Sequence, residues 1–304
     1  MNDSHMTDPP PSSHSLKVSV ALCTYNGARY ISSQIESIFK QTFPPDEMII
    51  CDDGSNDGTL GIIRGIIGVP TGIDIVVIEN NSNLGYVRNF EKAVGLCTGD
   101  IIFLSDQDDI WFPDRIELMV KPFAEKKEIG LVYSDAVIVD ERLNPLDLTV
   151  FGTRINARLR EGQRRRIAEV VLNPDIKGCM MAFRSTLLPM FLPIPPKARE
   201  LGWGHDHWFV GIAYAVTRIH VIDRELMYYR RHDKNYGRDS FTRIETPVLK
   251  KAAILVRSKL SFKTKGILFS PESIVARLDL MLARLQSIRK DHSDIGRAAC
   301  RERV

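Results

Sequence analysis

An α/β fold with a mixed, mostly parallel sheet flanked by helices is predicted by three observations. Apolar runs of strand length alternate with stretches of helical periodicity through the first third of the chain. Each run stops abruptly at polar or glycine-rich sequence. The composition, 44% hydrophobic and 26% charged over 304 residues, is ordinary for a globular chain. Alternation of this kind implies βαβ crossovers. These bring the strand ends to one sheet edge, where ligands of open α/β sheets bind.

"LKVSVALC" (16–23) is a β-rich apolar run that stops at "TYNG". "ARYISSQIESIFKQ" (28–41) then sets Ile31, Ile35, Ile38 and Phe39 at helical spacing. "EMIICDDGS" (47–55) reads as a second strand ending in acid and glycine. "NDGTLGIIRGII" can open a helix with Asn56 or Asp57 as its cap. "IDIVVIENN" (73–81) is a third strand, "NLGYVRNFEKAVGLC" (83–97) a helix and "DIIFLSD" (100–106) a fourth strand. The second half is less regular: strands over 130–140 and 176–184, a helix over 206–216, one or two strands over 218–232. No internal repeat is visible. The expected organisation is a disordered tail over 1–15, a catalytic α/β domain over 16–240 and a basic helical extension over 241–304.

Net charge is only +3, which gives no case for a nucleic-acid partner. No apolar run approaches the ~20 residues of a membrane span, and "MNDSHMTDPPPSSHS" lacks the apolar region of a signal peptide. Five cysteines without a C-x-x-C pair read as a reduced, cytoplasmic chain with no cysteine zinc site. Charge is unevenly spread, with thirteen Lys/Arg against five Asp/Glu between Pro247 and Val304. Two readings of that extension stay open. Its helices can lie peripherally on the anionic inner face of a membrane, or they can pack on the catalytic domain or on a second copy.

"FLSDQDDIWFPDRI" (103–116) carries the strongest local signal. Asp109 or Asp114 can cap the following helix. Asp106 and Asp108 flank one residue at the end of a very apolar strand, so both can face one site. Their repulsion needs a compensating cation or ligand hydroxyls, and Mg²⁺ or Mn²⁺ prefer such oxygen ligands alongside substrate phosphates. "CTYNG" (23–27) and "CDDGS" (51–55) are weak alone. With the D-x-D they supply what a nucleotide-sugar pocket needs: an aromatic face for a base, an acceptor for a base N–H, and acids for ribose and metal diphosphate.

The segment from "VSVALCTYNGARY" to "CDDGSNDGT" closely resembles the opening of family 2 glycosyltransferases, which have a GT-A fold. The resemblance continues through "NLGYVRNFEKA", "FLSDQDDIWFPDRI", "KGCMMAF", "GHDHW" and "YRRHDKN", spanning residues 16 to 237. The wording "SDQDDIW", "GCMMAF", "HDHW" and "YYRRHDKNYG" is similar to bacterial rhamnosyltransferases of O-antigen and capsule assembly. The resemblance implies nucleotide contacts from Thr24, Tyr25 at the base, Asp53 accepting its N–H, Asn83 and Arg88 at nucleotide or diphosphate, and Asp106 at the ribose. It implies Asp108 at a Mg²⁺ or Mn²⁺ ion, with His232 as a further metal or diphosphate contact unless it is a surface-turn histidine. In "WGHDHWF" the family's acidic pair becomes His205 and Asp206. Asp206 is the implied general base, its competing role being the N-cap of a helix starting at His207. Trp203 and His205 are the acceptor-side candidates.

The implied activity is inverting, metal-dependent transfer of a sugar, L-rhamnose from dTDP-rhamnose by this wording. The acceptor would be a saccharide or lipid-linked saccharide in cell-surface polysaccharide synthesis. The alternative is a nucleotide-sugar-binding scaffold module without catalysis. A Rossmann dehydrogenase is disfavoured, because no G-x-G-x-x-G follows the first strand.

Overall fold

The computed structural model describes residues 16–68, 70–152, 177–233, 235 and 275–288. The expected 1–15 tail and all of the basic extension except 275–288 lie outside them. The chain opens β1 (Val18–Thr24), α1 (Ile31–Phe39), β2 (Glu47–Asp52), α2 (Thr59–Ile66), β3 (Asp74–Glu79), α3 (Tyr86–Leu96) and β4 (Ile101–Ser105). Every residue of β1, β2 and β4 is buried, the pattern of strands covered on both faces. A short β5 (Ile110–Trp111) and α4 (Arg115–Glu125) follow, then β6 (Ile129–Val139), β7 (Pro145–Thr149) and β8 (Met181–Arg184). Two short helices, α5 (Leu188–Phe191) and α6 (Pro196–Glu200), lead to α7 (His205–Val216) and the long β9 (Arg218–Arg230). Residues 275–288 form a final helix, α8.

The sheet order is β3-β2-β1-β4-β8-β6-β9-β5, with β7 on β6. Strands β1 to β4 pair parallel. β8 runs antiparallel to both β4 and β6, and β9 is parallel to β6. The sheet is therefore mixed, with most strands pointing one way. Their carboxyl ends place Thr24, Asp52 and Ser105 along one edge.

Two capping expectations change. Asp109 is buried, and Asp114 sits at the N-cap of α4 without a capping hydrogen bond, turned instead to Arg224 (2.7 Å). α7 begins at His205, not His207, because Gly204 in extended conformation occupies the N-cap. Asp206 thus lies inside the first turn, where a carboxylate is favoured by the helix dipole.

α8 packs on the domain: Met281 is buried against Gly211 of α7, and Arg284 donates to the carbonyls of Pro189 (2.7 Å) and Leu192 (2.6 Å). This part of the basic extension therefore takes the packed arrangement. Among the described residues, no helix is long and apolar enough to cross a membrane.

At the opposite end of the sheet, Glu47 ties three segments together. Its carboxylate accepts from Ser19 Oγ (2.5 Å), Thr98 N (2.6 Å), Thr98 Oγ1 (3.0 Å) and Gly99 N (3.3 Å). Burial opposes its charge, yet these donors outweigh burial and lower its pKa. A depressed folded-state pKa adds stability above the unfolded value, and that stability is lost as pH falls through the folded value. Glu47→Gln should cost about 1–3 kcal/mol near neutral pH and flatten the acid limb of a denaturation-versus-pH curve. An unchanged acid limb would remove Glu47 from that role.

Candidate active site

The loop after β1 is held by Gln107. Its Oε1 accepts from Thr24 Oγ1 (2.7 Å) and Tyr25 N (2.8 Å), and its Nε2 donates to the Tyr25 carbonyl (3.1 Å). A Cβ on Gly27 would run into the same amide, which explains the glycine. Thr24 is buried with its hydroxyl committed, while Tyr25 stands 47% exposed with a free face. The two acids after β2 divide their work. Asp52 accepts from Gly54 N (3.1 Å), Ser55 N (2.8 Å) and Ser55 Oγ (2.6 Å), closing its own turn. Asp53 reaches the next loop, accepting from Asn80 Nδ2 (2.9 Å), Leu84 N (2.8 Å) and Gly85 N (2.9 Å). Both oxygens of Asp53 are thus engaged in shaping the 80–85 loop. Asn83 lies exposed on that loop, its Oδ1 accepting from Gly85 N (3.1 Å). Arg88 pairs with Glu91 and lines a cleft of about 390 Å³ with Val87, Ile194, Pro195 and Arg199.

Past β4 the acids separate by environment. Asp108 Oδ2 lies 2.8 Å from His232 Nε2 and accepts from Asn235 Nδ2 (3.3 Å). The two residues implied as metal ligands are therefore adjacent, although 124 residues apart in sequence. His232 is not a surface-turn histidine: its side chain is 5% exposed and stacks on Tyr30 with centroids 4.7 Å apart. Tyr30 donates to Glu141 (2.5 Å) and lies beneath the Arg230 guanidinium at 4.9 Å. Arg230 in turn donates to the carbonyls of Asp108 (2.7 Å) and Glu141 (2.8 Å). Asp109 is 1% exposed and accepts from Arg230 N (3.3 Å), while its Oδ2 is buried without a hydrogen-bond partner. With the Gln34 amide oriented to satisfy its neighbours, its nitrogen donates to the Asp109 carbonyl (2.6 Å) and its oxygen accepts from Trp111 Nε1 (3.2 Å).

Asp106 keeps some solvent access but sits among acids. Burial, then the Asp108 and Asp206 charges, push its carboxyl up to about 7. Burial and the same acid cluster raise Asp109 well above the carboxylate range. Asp106, Asp109 and Cys179 offer ligand atoms within 4.8 Å of one another, so this group could hold a metal ion. The orphaned Asp109 oxygen and the raised Asp106 and Asp109 carboxyls are what a divalent cation would relieve, and carboxylate oxygens fit Mg²⁺ or Mn²⁺ better than the soft Cys179 thiol does.

Asp206 enters from α7, with a 16% exposed side chain. Its Oδ1 accepts from His207 N (2.8 Å) and lies 3.0 Å from His207 Nδ1. Burial would raise its carboxyl, but the His207 charge and hydrogen bonds outweigh burial and hold it well below the usual range. The acceptor-side expectations for His205 and Trp203 are corrected. His205 is 5% exposed and stacked on Phe90 at 4.0 Å, with neither ring nitrogen partnered. Burial lowers it to about 4, so it is a neutral core aromatic. Trp203 is 2% exposed, with its indole 6.1 Å from that of Trp208. Trp203 lies just before α7 and His205 opens it, and both rings are buried, so neither presents a face to an acceptor.

Sequence reasoning missed Arg230, Gln107, Tyr30 and Cys179. Only the glycine of "TYNG" gave a signal, for Gln107; nothing distinguishes Arg230 from Arg231 in "YYRRH".

A mixed α/β sheet with an acidic edge, a D-x-D turn after β4 and a carboxylate from α7 sets the candidate site on a GT-A-like scaffold. Residues 19–188, more than half of the chain, match the model of glycosyl transferase family 2, and the chain belongs to that family. An uncharacterized glycosyltransferase of Nostoc sp. is 26% identical over 226 residues, covering 72% of this chain and 66% of its own length. The fold is shared with S. aureus TarS 1–349 in complex with UDP, at TM-score 0.54 and 22% identity over 71% of this chain and 61% of that one. It is shared equally with a mannosyltransferase from Pyrobaculum calidifontis in complex with GDP-Man and Mn²⁺, at TM-score 0.54 and 20% identity over 73% and 59%. The chain thus spans about two thirds or less of each relative's length.

Gly178, of "KGC", has no room for a side chain: a Cβ there would meet His205 Nε2 at 2.6 Å and Asp206 Cβ at 3.5 Å. Gly178→Ala should cost about 1–3 kcal/mol by chemical denaturation. Wild-type stability in that variant would show that the start of α7 is not packed as described.

Proposed function

We propose that this protein is an inverting, metal-dependent glycosyltransferase. It takes a sugar from a nucleoside diphosphate and passes it to a saccharide or lipid-linked saccharide hydroxyl. The observation that carries the reading is convergence: a Cβ on Gly178 would meet Asp206 Cβ at 3.5 Å, and the thiol of the next residue, Cys179, lies within 4.8 Å of ligand oxygens of Asp106 and Asp109, so the α7 carboxylate and the acids after β4 meet at one site.

The exposed Tyr25 face meets the base, and the Asp53-held loop frames it. Asp106 meets the ribose. Asp108 and His232 would hold the cation, which when bound acts as a Lewis acid toward the departing diphosphate. Against burial, His207 lowers the Asp206 pKa, and the carboxyl is ionised at neutral pH, as an unperturbed aspartate also is. Its Oδ2 accepts no hydrogen bond from the described residues, which leaves that atom to take the acceptor hydroxyl's proton as the glycosidic bond forms. One base on the face opposite the leaving group suffices, and the anomeric centre inverts. For the donor we favour dTDP-β-L-rhamnose, on the wording "SDQDDIW", "HDHW" and "YRRHDKN".

A thermal-shift and hydrolysis panel of nucleoside-diphosphate sugars with Mn²⁺ tests the donor, since a ligand of the folded state raises apparent stability. A clear preference for a UDP- or GDP-hexose would overturn rhamnose. Asp206→Asn keeps size and first-turn geometry, so donor binding should persist while turnover falls by roughly 10²-fold or more. Near-wild-type turnover would remove Asp206 from the mechanism, and absence of turnover in both forms would favour a binding module.

A further inference from the structure

The turn that delivers Asp206 is held from beyond the family-matched segment. Gly202 adopts φ +74°, Trp203 follows it into the core, and Gly204 opens α7. Arg277 of α8 reaches this turn across 76 residues of sequence, donating through Nη2 to the Leu201 carbonyl. Its Cζ lies 5.6 Å over the Trp203 ring, an arrangement in which the cation meets the negative face of the indole. A Cβ on Gly202 would come within 3.4 Å of the same Nη2. Arg277 is 1% exposed, a burial that an arginine tolerates only against specific partners. Met281 and Arg284 follow at helical spacing on the same face of α8. Met281 sits against Gly211 of α7, and Arg284 bonds the α5 carbonyls, including Met190 (3.1 Å). Leu282, 53% exposed, lies on the other face.

We infer that Arg277 is a positioning residue for Asp206. By pinning Leu201 and Trp203 it fixes the entry of α7 and so the reach of the carboxylate, without touching substrate. The inference rests on the proposed role of Asp206 as base.

Arg277→Met keeps the buried stem but cannot bond Leu201 or place charge over the indole. Arg277→Lys keeps the charge and a donor, and Leu282→Ala is the control on α8. The readouts are hydrogen exchange at amides 201–207, melting temperature, affinity for dTDP and UDP with Mn²⁺, and kcat and KM on whichever panel donor the wild type turns over. In Arg277→Met, exchange should quicken at 201–207 and not in β1 to β4. Nucleotide affinity and donor KM should stay within about twofold while kcat falls by on the order of 10²-fold, the effect of small misplacement of a reacting group. Arg277→Lys should recover part of kcat, and Leu282→Ala should match wild type. Unchanged exchange at 201–207 overturns the pinning whether or not the chain turns over a donor. Loss of kcat in step with nucleotide affinity and folded fraction, or an unchanged kcat, overturns the positioning of Asp206. A wild type that turns over no panel donor, with 201–207 loosened in the variant, overturns the transferase reading and with it the catalytic meaning of the pin, but not the pin itself.

Discussion

Repulsion among carboxylates at the end of β4 is the constraint to which the rest of the site responds. Three acids lie within four residues, and a fourth arrives from α7. Asp108 is met by His232 and Asn235. Asp109 is met by the Arg230 main chain and the field of buried Arg115. Asp206 is met by His207 and the start of its helix. Asp106 has no comparable partner: the Cys179 thiol and the Lys177 charge act on it weakly, and burial with its acidic neighbours prevails. The architecture thus compensates Asp108 and Asp206, while Asp106 and Asp109 keep raised carboxyls and Asp109 an unpartnered oxygen.

The scaffold makes that arrangement rigid. Parallel pairing of β1 to β4 sets the loops after them side by side, and three of these loops are fixed by a side chain from another segment: Gln107 on the Tyr25 loop, Asp53 on the 80–85 loop, Gln34 on the Asp109 turn. The aromatic and guanidinium stack of Tyr30, His232 and Arg230 joins β9 to α1 in the same way. Functional groups supplied by loops are therefore held by bonds that run between loops, which limits how far a bound ligand must reorganise the site.

Much of this was legible in the sequence, for identifiable reasons. The first four strands are continuous apolar runs with abrupt polar ends, and their helices carry clean periodicity, so element type and the acidic edge could be read directly. Asp106 and Asp108 stood out because paired carboxylates at the end of an apolar strand are costly without a purpose, whereas Asp206 was pointed to by the family resemblance of "GHDHW". The errors came where local sequence is silent on depth. "GWGHDHW" offers an aromatic between glycines and an imidazole just after them, which reads as a loop surface, yet both rings are core. Nothing local showed that Asp53 also shapes the loop that begins 27 residues later. Long-range partners such as Arg230 and Arg277 left no local signature, because a buried arginine is defined by carbonyls it meets far along the chain.

The central claim is that the acids at the end of β4 seat a cation together with a nucleoside diphosphate. Anomalous scattering at the manganese edge, from crystals grown with Mn²⁺ and a nucleoside diphosphate, tests it most directly. The account predicts one strong peak against the Asp108 carboxylate and His232 Nε2. No peak at the acidic edge, or a peak confined to Asp106, Asp109 and Cys179 with Asp108 still hydrogen-bonded to His232, would contradict it.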